Sequence, residues 1–354
     1  MSTTAMTIEA SDPQHHKSAF GNDTEDKRTQ RHPVFWFDDG SLLVPLSSSI
    51  FNIHRSLLTR HSQTCSSWIT AMSDPTISSR FATFSDMSPT AVLAVPSHIN
   101  VTVADFEVLL EHLYHDARAQ QSSPLGPKTP YPRLASILRT SSPKQLHLSS
   151  IYLQACTHLG AIFPGRPASF THQHPTEHLE DALELAMQFD IGMQTKKALL
   201  YSVTASTNFD PSGAHDPAGV PSSDPSDISQ SSASPHAALS TRTLRICHRF
   251  LSSLISDFTP LLFTVGATSH MGCTDILADC WMDVVISPAL ADGGVGRPLE
   301  TLQRMADWDW EKEGICESCA KEKRQEWAEE ARGIWQRMGG WIIGAENAEA
   351  ATVG

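Results

Sequence analysis

The stretch from His32 to Ile69, HPVFWFDDGSLLVPLSSSIFNIHRSLLTRHSQTCSSWI, constrains the fold more than any other part of the chain. Phe35, Trp36 and Phe37 form a β-favouring run that ends in Asp38, Asp39, Gly40 and Ser41, residues with turn chemistry. Leu42, Leu43 and Val44 open a second apolar run. Gly40 is free to take a positive φ, so the two runs are expected to pair as a half-buried hairpin. Phe51 and Ile53 precede His54 and Arg55, and there the period changes. Leu57, Leu58, Cys65, Trp68 and Ile69 have the spacing of one face of broken helical segments, with Ser62 as N-cap of the second. His54, at the end of a strand, is expected to tie the loop to the following helix through its ring nitrogens rather than to act as a base.

Further along, Val92 to Val95 reads as a short strand after the loop Met72 to Pro89. Thr102 is positioned to cap a helix with Asp105 three residues on, and Phe106, Leu109, Leu110 and Leu113 follow at i, i+3, i+4 and i+7. Two more helices carry Leu134, Ile137 and Leu138, then Leu148, Ile151, Tyr152, Ala155, Cys156 and Leu159, on their apolar stripes.

These motifs together resemble the BTB/POZ family. The likeness rests on the strand, turn, strand, His54-Arg55 and helix order, on VTVADFEVLLEHLYHD from Val101, and on YPRLASILRTSSPKQLHLSSIYLQACTHLGAIFP from Tyr131. The helical pair around HLEDALELAMQFDIGMQTKKALLYSV from His178 is similar to the one that follows the domain in many proteins of mushroom-forming (basidiomycete) fungi. The resemblance implies an α+β fold, a small sheet flanked by helices, followed by an all-helical C-terminal extension. It further implies a non-enzymatic protein-interaction role, as a self-associating scaffold or regulatory adaptor with protein partners. The expected homodimer surface comprises Phe35, Trp36, Phe37, Asp38, Leu57, Leu58 and Trp68. A substrate adaptor of a cullin-type ubiquitin ligase is an alternative, for which Phe84-Ser85-Asp86 is the nearest acidic step, and a zinc-containing transcriptional regulator is another.

The organisation expected from composition is a disordered tail at 1–31 and the BTB/POZ-like unit at 32–164 with a surface insertion at 117–132. A helical pair at 177–205, a disordered linker at 206–240 and a helical extension at 241–343 follow. Ser, Pro, Asp and Gly dominate the linker, which has too few large apolar residues to offset the entropy of ordering. In the extension, Leu244, Cys247, Leu251, Leu254, Ile255 and Phe258 mark the first helix, and Trp327, Ile334, Trp335, Met338 and Trp341 the last. That extension is expected to fold back on the preceding helices.

With 39 acidic against 26 basic side chains the formal charge is -13, which repels a phosphate backbone, so no direct nucleic-acid partner is expected. The polar N-terminus shows no signal peptide, and no apolar run reaches the roughly 18 residues of a membrane span. An intracellular protein, cytoplasmic or nuclear, is therefore expected, with its seven cysteines reduced. No G-x-S-x-G elbow, phosphate-binding loop, H-E-x-x-H helix or dinucleotide fingerprint occurs, and the chain is not expected to be an enzyme. Gly293-Gly294-Val295-Gly296 reads as a turn between helices.

One constellation carries chemistry. Cys316 and Cys319 have the two-residue spacing that lets both thiolates reach one tetrahedral zinc at about 2.3 Å. Cys273 and Cys280, with six residues between them, are their expected partners, and buried thiols without metal are the bland reading. No other cofactor is expected. Of the 17 histidines, His172, His174 and His178 are the nearest to a cluster and read as solvated loop surface.

Overall fold

The computed structural model describes residues 30–71, 91–115, 125, 129–163, 177–189, 191–206 and 239–353, and the statements below concern these residues. The expected tail as far as residue 29, the loop containing Phe84-Ser85-Asp86, most of the insertion at 117–132, residues 164–176 and the linker from 207 to 238 lie outside them.

Five strands form one sheet: β1 (Gln30–Trp36), β2 (Leu42–Leu46), β3 (Ser49–Ile53), β4 (Ile69–Ala71) and β5 (Ala91–Leu93), in the order β1-β3-β2-β5-β4. β2 and β3 pair antiparallel, β1 runs parallel to β3, β5 parallel to β2, and β4 antiparallel to β5. The hairpin is thus β2–β3, closed at Ser47 and Ser48 with φ 51° at Ser47, and not the expected pairing across Gly40. A two-residue connection matches strand twist better than the longer Asp38–Ser41 segment, which instead carries the chain past β3. Gly40 is needed for space rather than for φ: a Cβ there would collide with the Asn52 side chain, whose Nδ2 donates to the Phe37 carbonyl.

Alternation along the strands splits the sheet into two buried faces. Leu42, Val44, Leu46, Phe51 and Ile53 face the main core, and Leu43, Ile50 and Val92 the other side with Trp36 against them. The central strands are covered on both sides, unlike the half-buried pair expected, and such strands read as continuous apolar runs.

Two short helices follow, α1 (Arg55–His61) and α2 (Gln63–Ser67). Ser62 caps the second, its Oγ accepting from Cys65 N–H at 3.0 Å and donating to the Leu146 carbonyl at 2.8 Å. Trp68 ends this helix and Ile69 begins β4, where the sequence suggested more helix. A short apolar run is ambiguous in period, and pairing with β5 decides it. α3 (Val103–His115) starts where expected, Asp105 N–H donating to Thr102 Oγ1 at 3.1 Å, and buries Phe106, Leu109, Leu110 and Leu113. His54 reaches Tyr114 of this helix, Nδ1 to Oη 2.9 Å, and Asp39 across the turn at 3.2 Å, rather than the helix that follows it.

α4 (Tyr131–Ser141), α5 (Ser149–Ile162), α6 (Leu179–Gln188) and α7 (Met193–Thr204) continue the packing. The extension comprises α8 (Thr241–Phe263), α9 (Met271–Trp281), α10 (Ser287–Ala291), α11 (Pro298–Asp307) and α12 (Glu317–Val353). α9 passes into α10 through a wide π turn at Met282–Ile286. Pro288 has no N–H for the Val284 carbonyl and its ring crowds that turn, which accounts for the widening. Gly293, at φ 67°, makes the expected turn before α11.

The extension packs back on the preceding helices: Lys196 of α7 meets Glu346 of α12 at 2.8 Å, and Lys197 donates to the Trp335 carbonyl at 3.1 Å. One apolar cluster runs without a break from Phe35 to Ala345. α12 extends beyond the expected boundary at 343, because Ala345 and Glu349 are buried and hold its last turns in place.

Candidate metal centre

Two helix starts meet at one end of the extension. His270 is the N-cap of α9 and Cys273 lies in its first turn, while Cys316 directly precedes α12 and Cys319 lies in that helix's first turn. The spacing is the same in both, His-x-x-Cys and Cys-x-x-Cys, which places two side chains on one side of a helix N-terminus. The ligand atoms of all four residues lie within 4.8 Å of one another.

Three of the separations lie close to the edges of a tetrahedron around one ion. With Zn–S of about 2.3 Å and Zn–N of about 2.0–2.1 Å, ideal edges are about 3.8 Å for S···S and about 3.5 Å for S···N. Cys273 Sγ lies 3.7 Å from Cys316 Sγ, and His270 Nδ1 lies 3.2 Å from Cys316 Sγ and 3.5 Å from Cys319 Sγ. Cys319 and Cys273 are buried, Cys316 is half-buried and His270 exposed, so the site has a dry floor and a wet rim.

Local electrostatics favour thiolate. Both helices present unpaired N–H groups and the positive end of the dipole toward the sulfurs. The Cys319 backbone N–H, the His270 ring and the Cys319 thiol all hydrogen-bond Cys316, bringing its thiol down to about 6. The Cys316 backbone N–H likewise favours the thiolate of Cys273, but burial and the thiol hydrogen bonds from its neighbours outweigh it and leave that thiol above its ordinary value. The Cys273 thiol accordingly donates to Cys316. Three soft sulfurs and one imidazole suit a borderline-soft cation such as zinc.

The structure corrects the expected ligand set at one position. Cys280 lies two helical turns beyond Cys273 on α9, about 10 Å along the axis, too far to share an ion with it. Its thiol points to the Leu277 carbonyl at 3.6 Å. His270 takes the fourth place. The signal was present in the sequence, since His270 repeats before Cys273 the two-residue spacing of Cys316 and Cys319.

The residues expected at a dimer surface divide. Phe35, 3% exposed, and Leu58, 0% exposed, belong to the intramolecular core and cannot anchor a partner without unfolding it. Phe37 packs on Tyr114 with ring centroids 4.8 Å apart, and Trp36 takes the Arg31 guanidinium over its ring at 4.7 Å. Trp36, Phe37, Leu57 and Trp68 remain half-buried and Asp38 exposed. His178 stacks on Tyr131 at 4.8 Å, while His172 and His174 lie outside the described residues. No described helix is long and apolar enough to cross a membrane. In comparisons with known proteins, no family model, no curated protein and no solved structure matches the chain.

Proposed function

We propose that the chain is a non-enzymatic protein-interaction protein: a BTB/POZ-like α+β unit carrying a helical extension that one structural zinc ion closes. The convergence of His270, Cys273, Cys316 and Cys319 from two helix starts carries this reading. Four protein ligands complete a tetrahedron and leave no position for water or substrate, the arrangement of a structural rather than a catalytic site. Zinc bound there would cross-link the first turns of α9 and α12, which are otherwise joined by a long excursion through α10 and α11. Seven free thiols fit a reducing compartment, cytoplasm or nucleus, as the place of work.

Three strands, the His54-Arg55 step, two short helices, a strand at 91–93 and three helices follow one another as the family resemblance implies, with the β2–β3 pairing and the added β4 as departures, and this order supports the interaction half. Self-association is proposed through β1, an edge strand on which Val34 is 67% exposed beside the half-buried Trp36. Phe37, Leu57 and Trp68 would extend that surface. Light scattering of the full chain at micromolar concentration is expected to give a dimer mass that Trp36→Ala reduces toward the monomer. A strictly monomeric wild-type protein would remove the self-association proposal and leave the metal reading standing.

A further inference from the structure

His270 is the exposed ligand, so side-chain packing does little to hold it. Its backbone, in contrast, is fixed with unusual completeness. Both lone pairs of its carbonyl are used: Thr274 N–H donates at 3.1 Å and the Thr268 hydroxyl at 2.8 Å. Thr268 N–H donates in turn to Thr274 Oγ1 at 2.9 Å, and the two hydroxyl oxygens are 3.0 Å apart. Each hydroxyl has one proton: that of Thr268 goes to the His270 carbonyl, and that of Thr274 lies between Thr268 Oγ1 at 3.0 Å and the same carbonyl at 3.4 Å. The result is a closed clasp across the start of α9.

The preceding segment, 264–270, is also pressed against α12. A Cβ on Gly266 would run into the ammonium of Lys323, a buried lysine paired with Glu326 at 2.7 Å and one turn beyond Cys319. Ser269 donates to Glu322 Oε2 at 2.6 Å on the same helix. The loop that delivers the imidazole is therefore registered on the helix that delivers two of the sulfurs.

We infer that Thr268 and Thr274 are positioning residues for the fourth metal ligand, their hydroxyl clasp setting the His270 backbone so that Nδ1 reaches the three sulfurs. This rests on the metal reading above. Groups that orient a ligand without touching the ion change affinity by about 10–100-fold when removed. Ser269 and Glu322, at an exposed surface, contribute less.

The test uses the full chain and two probes, zinc affinity by competition with a chelator and the visible spectrum of bound Co2+. Thr274→Val and Thr268→Val are expected to weaken zinc about 10–100-fold. Their cobalt spectra should shift toward that of His270→Ala, in which water replaces nitrogen. Thr274→Ser, which keeps the hydroxyl, should restore both. Wild-type affinity and an unshifted spectrum in the two valine variants, while His270→Ala weakens binding, would overturn the inference and spare the metal reading. Melting with excess chelator separates positioning from ordinary loop stability: a valine variant that loses as much stability without metal as with it also overturns the inference. A wild-type chain that binds neither zinc nor cobalt overturns the reading and the inference together.

Discussion

The region around the sheet and the helical extension bury different kinds of polar group. Around the sheet the buried polar residues are chiefly amide, hydroxyl and imidazole side chains: Asn52, Ser62, Thr140, Ser141, His32 and His112, with Asp105 paired to Arg139 at 3.3 Å. His32 shows how such a group is absorbed. Its Nδ1 accepts from Phe35 N–H, its ring stacks on Phe51 at 4.4 Å, and its Nε2 meets Glu107 at 2.7 Å. The extension instead buries charge. Glu349, 0% exposed, accepts from Arg245 at 2.6 Å and is ion-paired with Arg249 at 3.2 Å, Lys323 of α12 is buried beside Gly266, and Lys196 and Lys197 of α7 are buried against α12. A 37-residue helix thus carries ion pairs at one end and, at the other, three sulfurs and an imidazole that could hold a metal ion. The sheet region is covered by apolar residues on both faces. The extension has its own share of the apolar cluster and adds polar contacts at both ends of its long helix, each of which answers to a different solution condition.

The largest expected effect breaks the metal pin. Structural zinc in small domains contributes about 10–16 kcal/mol of apparent binding free energy, and although the apolar core here retains part of the fold, the loss should exceed any single side-chain truncation. Cys319→Ser, at a buried ligand, is expected to release the metal and to speed amide exchange in α9 and the first turns of α12. β2, β3 and β5 should stay protected. Equal deprotection of strands and extension would show that the two regions do not differ as described.

Next in size is an apolar truncation in the other region. Phe106 is buried against Phe51, edge to face with centroids 5.0 Å apart, and Phe106→Ala should cost about 3–5 kcal/mol in chemical denaturation. The comparison is sharpened by repeating the measurement with chelator, since the cost should be the same with and without metal. A smaller effect belongs to the cap shared by α2 and the loop before α5: Ser62→Ala removes both of its hydrogen bonds and should cost about 1–2 kcal/mol. A change below the resolution of a denaturant melt would mean that this junction is held by Cys65 and its apolar neighbours alone.

Local signals in the sequence were legible where neighbours in the chain supply the partner. The Ser62 and Thr102 caps, the i, i+3, i+4, i+7 stripe of α3 and the apolar faces of α4 and α5 are all set within one or two turns, and all occur as expected. Strand partnership was not legible. Gly40 has turn chemistry, but whether β1 pairs with β2 or with β3 depends on a parallel contact that local pattern does not encode. The candidate metal cluster was legible for Cys273, Cys316 and Cys319, and the fourth position was missed because the sequence pattern pairs cysteine with cysteine. Cys280 and Cys273 share a helix, and the rise per turn excludes them from one ion, whereas His270 stands one turn before Cys273 as Cys316 stands before Cys319.

The central claim is tested most directly by elemental analysis of the purified full chain after dialysis without chelator, with Cys316→Ser and Cys280→Ser prepared in parallel. The account predicts one zinc per chain in the wild type and in Cys280→Ser, and none retained in Cys316→Ser. Wild-type protein without stoichiometric metal, or metal that survives Cys316→Ser and is lost in Cys280→Ser, would contradict it.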